Sequence, residues 1–160
     1  GTDAFLHEKV CEDPFVYMRE RDIQFMYPKR KRIATESCSE GLWEATEEYR
    51  KQKGIIPVNN ASNSKFGWNA DLSLTIFHGF IGLGNLNFFR SKQYMEYAQF
   101  LNEDGRIYVN RWSDQTIYVL ATAMFLPEKQ TQAMPSTLQF AHHAKPAYIE
   151  QLQNFVESVL

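Results

Sequence analysis

Apolar side chains recur at helical spacing in several stretches of this sequence and gather with β-branched residues in the shorter segments between them. Asp13-Pro14 opens the first stretch. The carboxylate is placed to cap, proline fills a position whose N–H has no intrahelical partner, and Phe15, Tyr17 and Met18 follow, which predicts a short helix over 13–20. Ile23-Gln24-Phe25-Met26-Tyr27 has the alternation and aromatic content of a strand. The consecutive cations Lys29, Arg30, Lys31 and Arg32 then read as a solvated loop. Leu42, Trp43, Thr46 and Tyr49 lie at helical intervals after Ser39, and Gly54 stands where a helix end takes a residue tolerant of positive φ; together they predict a helix over 40–53.

Residues 57–65 are rich in Asn and Ser and read as a loop with little to bury. Residues 71–80 and 86–89 carry the β-branched and aromatic side chains of strands, but Gly79, Gly82 and Gly84 interrupt them, which predicts bends or close backbone approach rather than long regular strands. Ser91 begins an amphipathic helix ended by Asp104-Gly105, and 112–126 is apolar almost all round, as a buried helix is, with Pro127 closing it. A short strand over 138–140 leads to His142-His143, and 148–160 has the period of a last helix. Gly1 to Leu6 reads as the end of a strand, which leads us to expect chain upstream. Helices and strands intermix without a repeat, so the class is α/β or α+β in one domain.

The composition, 44% apolar and 14% aromatic over 160 residues, supplies a core and excludes a disordered chain. Seventeen basic against nineteen acidic residues exclude a general polyanion binder, so no nucleic-acid partner is expected. No run of apolar residues reaches the length of a membrane span. Cys11 and Cys38 allow at most one bridge and exclude a four-thiolate metal site.

Candidate chemistry lies in a few places. Asp3 ends a strand as the carboxylates of D-x-D motifs do, where hard oxygen ligands hold a divalent cation against a diphosphate; its alternative is a structural turn. His142 and His143 point to opposite sides of an extended segment, so one imidazole at most completes such a shell. His7 and His78 read as partly buried strand residues. Arg111-Trp112-Ser113-Asp114 sets a cation, an aromatic ring and a carboxylate at the mouth of the buried helix, where Asp114 either caps it or holds a substrate hydroxyl. Asn60-Ala61-Ser62 is a glycosylation acceptor triplet.

With their spacing, these segments resemble the fungal α-1,2-mannosyltransferase family, Golgi enzymes with a GT-A fold. Residues 77–90, ending Asn85-Leu86-Asn87-Phe88-Phe89-Arg90, resemble a family block ending Asp-Leu-Asp-Phe-Phe-Arg. Tyr94, Tyr97 and Gly105 follow, and Tyr108-Val109-Asn110-Arg111-Trp112-Ser113-Asp114 is similar to the family's Tyr-Glu-Arg-Trp-Gly-Asp. Phe140-Ala141-His142 is similar to a Gly-Tyr-x-His ending, and Asp3 and Asp13-Pro14-Phe15 keep the interval between the family's metal motif and its Asp-Pro-Phe.

The resemblance implies the mixed-sheet portion of a GT-A fold and a retaining, Mn2+-assisted transfer from a nucleotide sugar, GDP-mannose-like or a UDP-sugar, to a glycan or glycoprotein acceptor in the Golgi lumen. It implies metal ligation by Asp3 and His142, catalytic roles for Asp114 and Arg111, and substrate contacts from Trp112, Asn85, Asn87 and Tyr108. It also implies that the chain is the acceptor-side part of a catalytic domain whose nucleotide-binding part and membrane anchor lie outside it. Two family carboxylates fall on Gly1 and Gly82, so a front-face displacement is expected in place of a covalent intermediate. The alternative is a non-catalytic carbohydrate- or protein-binding module, with Trp43, Trp68 and Trp112 as stacking faces.

Overall fold

The computed structural model describes residues 4–6, 12–33, 36–60, 64–79, 81–135, 138 and 140–142. The elements run β1 (Ala4–Leu6), α1 (Pro14–Glu20), β2 (Phe25–Tyr27), β3 (Arg30–Arg32), α2 (Leu42–Gln52), β4 (Thr75–Phe77), β5 (Leu83–Gly84), α3 (Leu86–Phe89), α4 (Lys92–Asp104), α5 (Arg106–Val109), α6 (Asp114–Phe125), β6 (Thr131–Ala133) and β7 (Phe140–His142), with single 3-10 turns at Glu36–Ser39, Ala70–Leu74 and Glu128–Gln130. β2 is the centre of a mixed sheet, antiparallel to β5 and parallel to β6. β3 pairs antiparallel with β4, and β1 with β7 in the register Ala4 to His142. Among the described residues no helix is long and apolar enough to cross a membrane.

α6 is the axis of the core. Thr116, Ile117 and every residue from Val119 to Met124 are buried, against β4, the turn before it and α4. Ser113 caps it, its hydroxyl accepting the Gln115 N–H at 3.2 Å, so Asp114 is the first helical residue and not the cap. The helices over 13–20, 40–53 and 91–104 form nearly as expected. Asp13 accepts the Phe15 and Val16 amides, Ser91 accepts that of Tyr94, and Gly54 and Gly105 take φ of +63° and +79°. α2 has Gly41 at its N-cap, however, with φ +74°, and Ser39 lies buried before it.

Other segments depart from the pattern. The basic run is a strand: β3 presents Arg30, Lys31 and Arg32 to solvent on an edge, where charge discourages further pairing without opposing extended backbone. Arg32 meets Asp71 at 2.9 Å. Among the described residues of 71–80 only Thr75–Phe77 is extended, because Asn69 accepts the Asp71 N–H at 2.8 Å and starts a 3-10 turn. Residues 86–89 are a helical turn for the same reason, with Asn85 accepting the Asn87 N–H at 2.9 Å. The strand expected over 138–140 lies at Phe140–His142. The helix expected over 148–160 lies outside the described residues.

The α2–α4 contact carries buried phenols. The Tyr97 and Thr46 hydroxyls meet at 2.8 Å, and Tyr49 packs its ring 5.3 Å from that of Tyr97. Burial pushes Tyr97 well up, and burial, then Tyr118, then Asp114 push Tyr94 up to about 12 from an ordinary 10.0. The folded chain thus holds these protons where the unfolded chain releases them, so their stabilising contribution is full below pH 10 and falls as pH rises toward 12. Denaturation midpoints are expected to be flat from pH 8 to 9.5 and to fall steeply above 10; a flat profile to pH 12 would contradict this.

Candidate functional site

β2, β4, the segment around β5 and the start of α6 enclose a cavity of about 570 Å³. Its wall is aromatic: Phe25, Tyr27, Phe77, Phe89 and Tyr118 line it. Tyr27 and Phe77 stack at 4.2 Å, and Tyr118 lies 5.7 Å from both Phe25 and Phe89. Asp114 supplies a carboxylate at the rim. It is exposed, stands in the first turn of α6 where a negative charge is favoured, and accepts the N–H of Gln115 through Oδ1 at 2.8 Å. His78 also lines the cavity, its N–H donating to the Lys29 carbonyl at 2.8 Å.

Two features equip this space for a polyhydroxylated ligand. The Tyr27 hydroxyl is buried without a hydrogen-bond partner among the described residues, a state that a ligand or water hydroxyl relieves. Burial first, then Asp114, pushes Tyr118 up, so its phenol remains a neutral donor and acceptor at physiological pH. Flat apolar ring faces beside a few fixed polar groups are the general form of a small-molecule site.

The expected site residues do not all converge here. Asp114 lines this cavity; Asn85, half-buried, lines an adjoining one of about 480 Å³ with its side-chain oxygen engaged in capping α3. Asn87 is exposed on α3. Arg111 is exposed, and its φ of +53° makes the turn that aims α6. Trp112, expected at a substrate, is instead core. It is 5% exposed, its Nε1 donates to the Glu40 carbonyl at 2.7 Å, and the Arg106 guanidinium lies 5.4 Å from its ring. Tyr108 is exposed on α5 and donates to the Asn102 side chain. Trp43 and Trp68 pack together at 5.2 Å, and Trp68 donates to Glu47. Asp3 and Cys11 lie outside the described residues, as does the side chain of His142, while Cys38 is exposed. Among the described residues no three His, Cys, Asp or Glu side chains cluster as a metal site.

The glycines of 79–84 separate by geometry. A Cβ on Gly84 falls 2.3 Å from the Phe89 ring and one on Gly79 falls 2.3 Å from the Gln115 amide, whereas one on Gly82 makes ordinary contact with Phe25 at 3.5 Å. Gly82→Ala is therefore expected to change stability by less than about 0.5 kcal/mol and Gly84→Ala to cost about 1–3 kcal/mol. Equal melting temperatures for the two variants would contradict the packing.

The family model described as glycolipid 2-alpha-mannosyltransferase matches residues 6–150. The chain belongs to this family. A probable mannosyltransferase of Saccharomyces cerevisiae, KTR2, is 27% identical over 139 residues, covering 74% of this chain and 31% of the relative. An O-glycoside alpha-1,2-mannosyltransferase homolog of Schizosaccharomyces pombe, homolog 3, is 31% identical over 94 residues, covering 56% of this chain and 25% of its own. The fold is similar to that of S. cerevisiae Ktr4p solved with GDP (TM-score 0.73, 24% identity, 87% of this chain and 37% of that one). It is also similar to core-mannan synthase A of Aspergillus fumigatus in its Mn/GDP form (TM-score 0.72, 20% identity, 87% and 39%). The α/β class and the mixed-sheet portion of a GT-A fold thus hold. The chain spans about a third of the length of the curated relatives it matches.

Proposed function

We propose that this chain is the acceptor-side part of a retaining glycosyltransferase that moves a sugar, mannose first among the candidates, from a nucleotide diphosphate donor to a glycan or glycoprotein in the secretory pathway, in the Golgi lumen. The observation that carries the reading is Asp114 on the rim of an aromatic cavity, within a chain of this family. In this reading the cavity holds a sugar ring, its C–H face on the aromatic wall and a hydroxyl on the Asp114 carboxylate. Tyr27 and Tyr118 add hydroxyls that hold the ring's orientation, and Arg111, outside the cavity lining, keeps the catalytic role that the family resemblance implies.

Two relatives solved with GDP, one of them with Mn as well, support a guanine nucleotide and Mn2+ as the first choices here. The family resemblance supports Asp3 and His142 as the residues that would hold the metal; His142 itself pairs with Ala4 across β7 and β1. Bound there, the ion would neutralise charge on the leaving diphosphate. Gly82 lines the cavity and brings no carboxylate to it, which favours front-face displacement over a covalent intermediate. The same glycine favours the second reading, a module that binds sugar without transferring it. The discriminating experiment is calorimetric titration of GDP, and separately UDP, with Mn2+ into this chain and into one extended upstream. Metal-dependent binding by the extended chain alone is expected; no nucleotide binding by either overturns the transferase reading.

A further inference from the structure

We propose that Asn60 carries an N-linked oligosaccharide, so that this chain is itself a glycoprotein. The inference rests on the reading of the chain as a secretory-pathway protein, because there an asparagine meets a lipid diphosphate-linked oligosaccharide and the enzyme that transfers it. Asn60-Ala61-Ser62 is the one place in the sequence where an asparagine is followed, two positions on, by a hydroxyl residue with no proline between. The structure separates Asn60 from its neighbour. Asn59 is 6% exposed and commits its amide nitrogen to the carbonyls of Ala123 and Leu126. Asn60 is exposed, and its side chain makes no hydrogen bond among the described residues, so its amide nitrogen is available for modification. An oligosaccharide on Asn59 would have to break the fold open; one on Asn60 projects into solvent.

In the transfer, the Asn60 side-chain nitrogen displaces the lipid diphosphate from the anomeric carbon of the donor. A C–N bond forms as the C–O bond to the diphosphate breaks, the nitrogen releases one proton, and the lipid diphosphate leaves with the bonding pair. The anchored Asn59 fixes where the oligosaccharide emerges. Its two carbonyl partners lie at the C-terminal end of α6, and Asp114 opens that helix. The 12 residues of α6, at about 1.5 Å each, put about 18 Å between the two ends. The oligosaccharide therefore leaves the surface at the end of α6 away from the rim carboxylate, and a variant lacking it is expected to bind sugar in the cavity unchanged. Ile56 and Val58, 78% and 52% exposed, precede Asn60 in the same segment. A bulky, hydrated group beside them shields these apolar side chains from other molecules.

The test routes the chain into the secretory lumen of a eukaryotic host behind an added signal peptide and compares it with the native protein purified from its own cells. Both are treated, in heavy-oxygen water, with an amidase that releases N-linked glycans and leaves an isotopically marked aspartate at the modified position. Mass spectrometry reads the intact chain and its peptides. In both samples the expected result is a mass that falls by one oligosaccharide on release, with the mark at position 60. Asn60→Gln and Ser62→Ala are expected to abolish the shift and Ser62→Thr to keep it. Asn60 is exposed, so Asn60→Gln is expected to melt where the enzymatically deglycosylated chain does. An unmodified Asn60 in the routed chain overturns the site and leaves the secretory-pathway reading standing. Modification of the routed chain with none on the native protein overturns that reading, and with it the modification in the cell.

Discussion

Asn59→Ala is expected to lower the stability of the folded chain by about 2–4 kcal/mol, among the largest effects of any polar substitution here. Asn59 is 6% exposed, and its amide nitrogen donates to the carbonyls of Ala123 at 3.1 Å and Leu126 at 2.8 Å. These lie at the C-terminal end of α6, where a helix leaves its last carbonyls without intrahelical donors. Neighbouring backbone completes the seal: the Val58 and Asn59 N–H groups donate to Met124 and Ala123, and the Asn59 carbonyl accepts from Trp68. Alanine removes both amide bonds; the Ala123 carbonyl keeps the backbone N–H of residue 59, but the Leu126 carbonyl loses its side-chain donor. Asn59→Asp is expected to cost more still, because it sets carboxylate oxygens against carbonyl oxygens away from water. Chemical denaturation with an unchanged m-value checks this, and a loss below about 1 kcal/mol for alanine would refute the sealing role.

Asn59 also shows where reading the chain alone runs out. An Asn- and Ser-rich segment looks like an exposed loop by composition, yet its partners lie 64 and 67 residues away, a distance over which local pattern carries no information. The elements that were legible have their determinants within one or two turns: Asp13-Pro14 for α1, Ser91 and Gly105 for α4, and the apolar run of α6. Asn69 and Asn85 were equally local cues, but the β-branched and aromatic residues after them suggested strands, and the caps prevailed because a strand that short has few cross-strand pairs to stabilise it. β3 was missed because like charges argue for solvent exposure, which an edge strand satisfies as well as a loop does.

The site was legible in the same uneven way. Asp114 stood out as a carboxylate at a helix start, and Tyr118, one turn on along the same face, was available to the same reasoning. Tyr27 was not: a tyrosine in a strand of the core looks complete until its hydroxyl is found without a partner. Trp112 misled because a large aromatic beside charged residues suggests a stacking face, while the Glu40 carbonyl that binds its indole comes from the far side of the chain.

Asp114→Asn is expected to lower sugar affinity about twofold to thirtyfold while leaving the fold intact. The replacement has nearly the same shape, Ser113 remains as the cap, and an amide oxygen can still accept the Gln115 N–H, so stability should fall by less than about 1 kcal/mol, the scale of one charge at a helix start. Sugar binding loses more, because a hydrogen bond to an ionised acceptor contributes about 1.5–3 kcal/mol where a neutral one contributes about 1. An internal signal reports that the charge itself has gone. Asp114 is among the groups that raise Tyr94 and Tyr118 by disfavouring a nearby phenolate, so both should ionise at lower pH in the variant, with Tyr94 moving down from about 12. Ultraviolet titration of the phenolate band reads that shift, and calorimetry with methyl α-mannoside reads the affinity. A downward shift of the tyrosines with undiminished sugar binding would show that the carboxylate faces the cavity without serving it, and would remove Asp114 from the site.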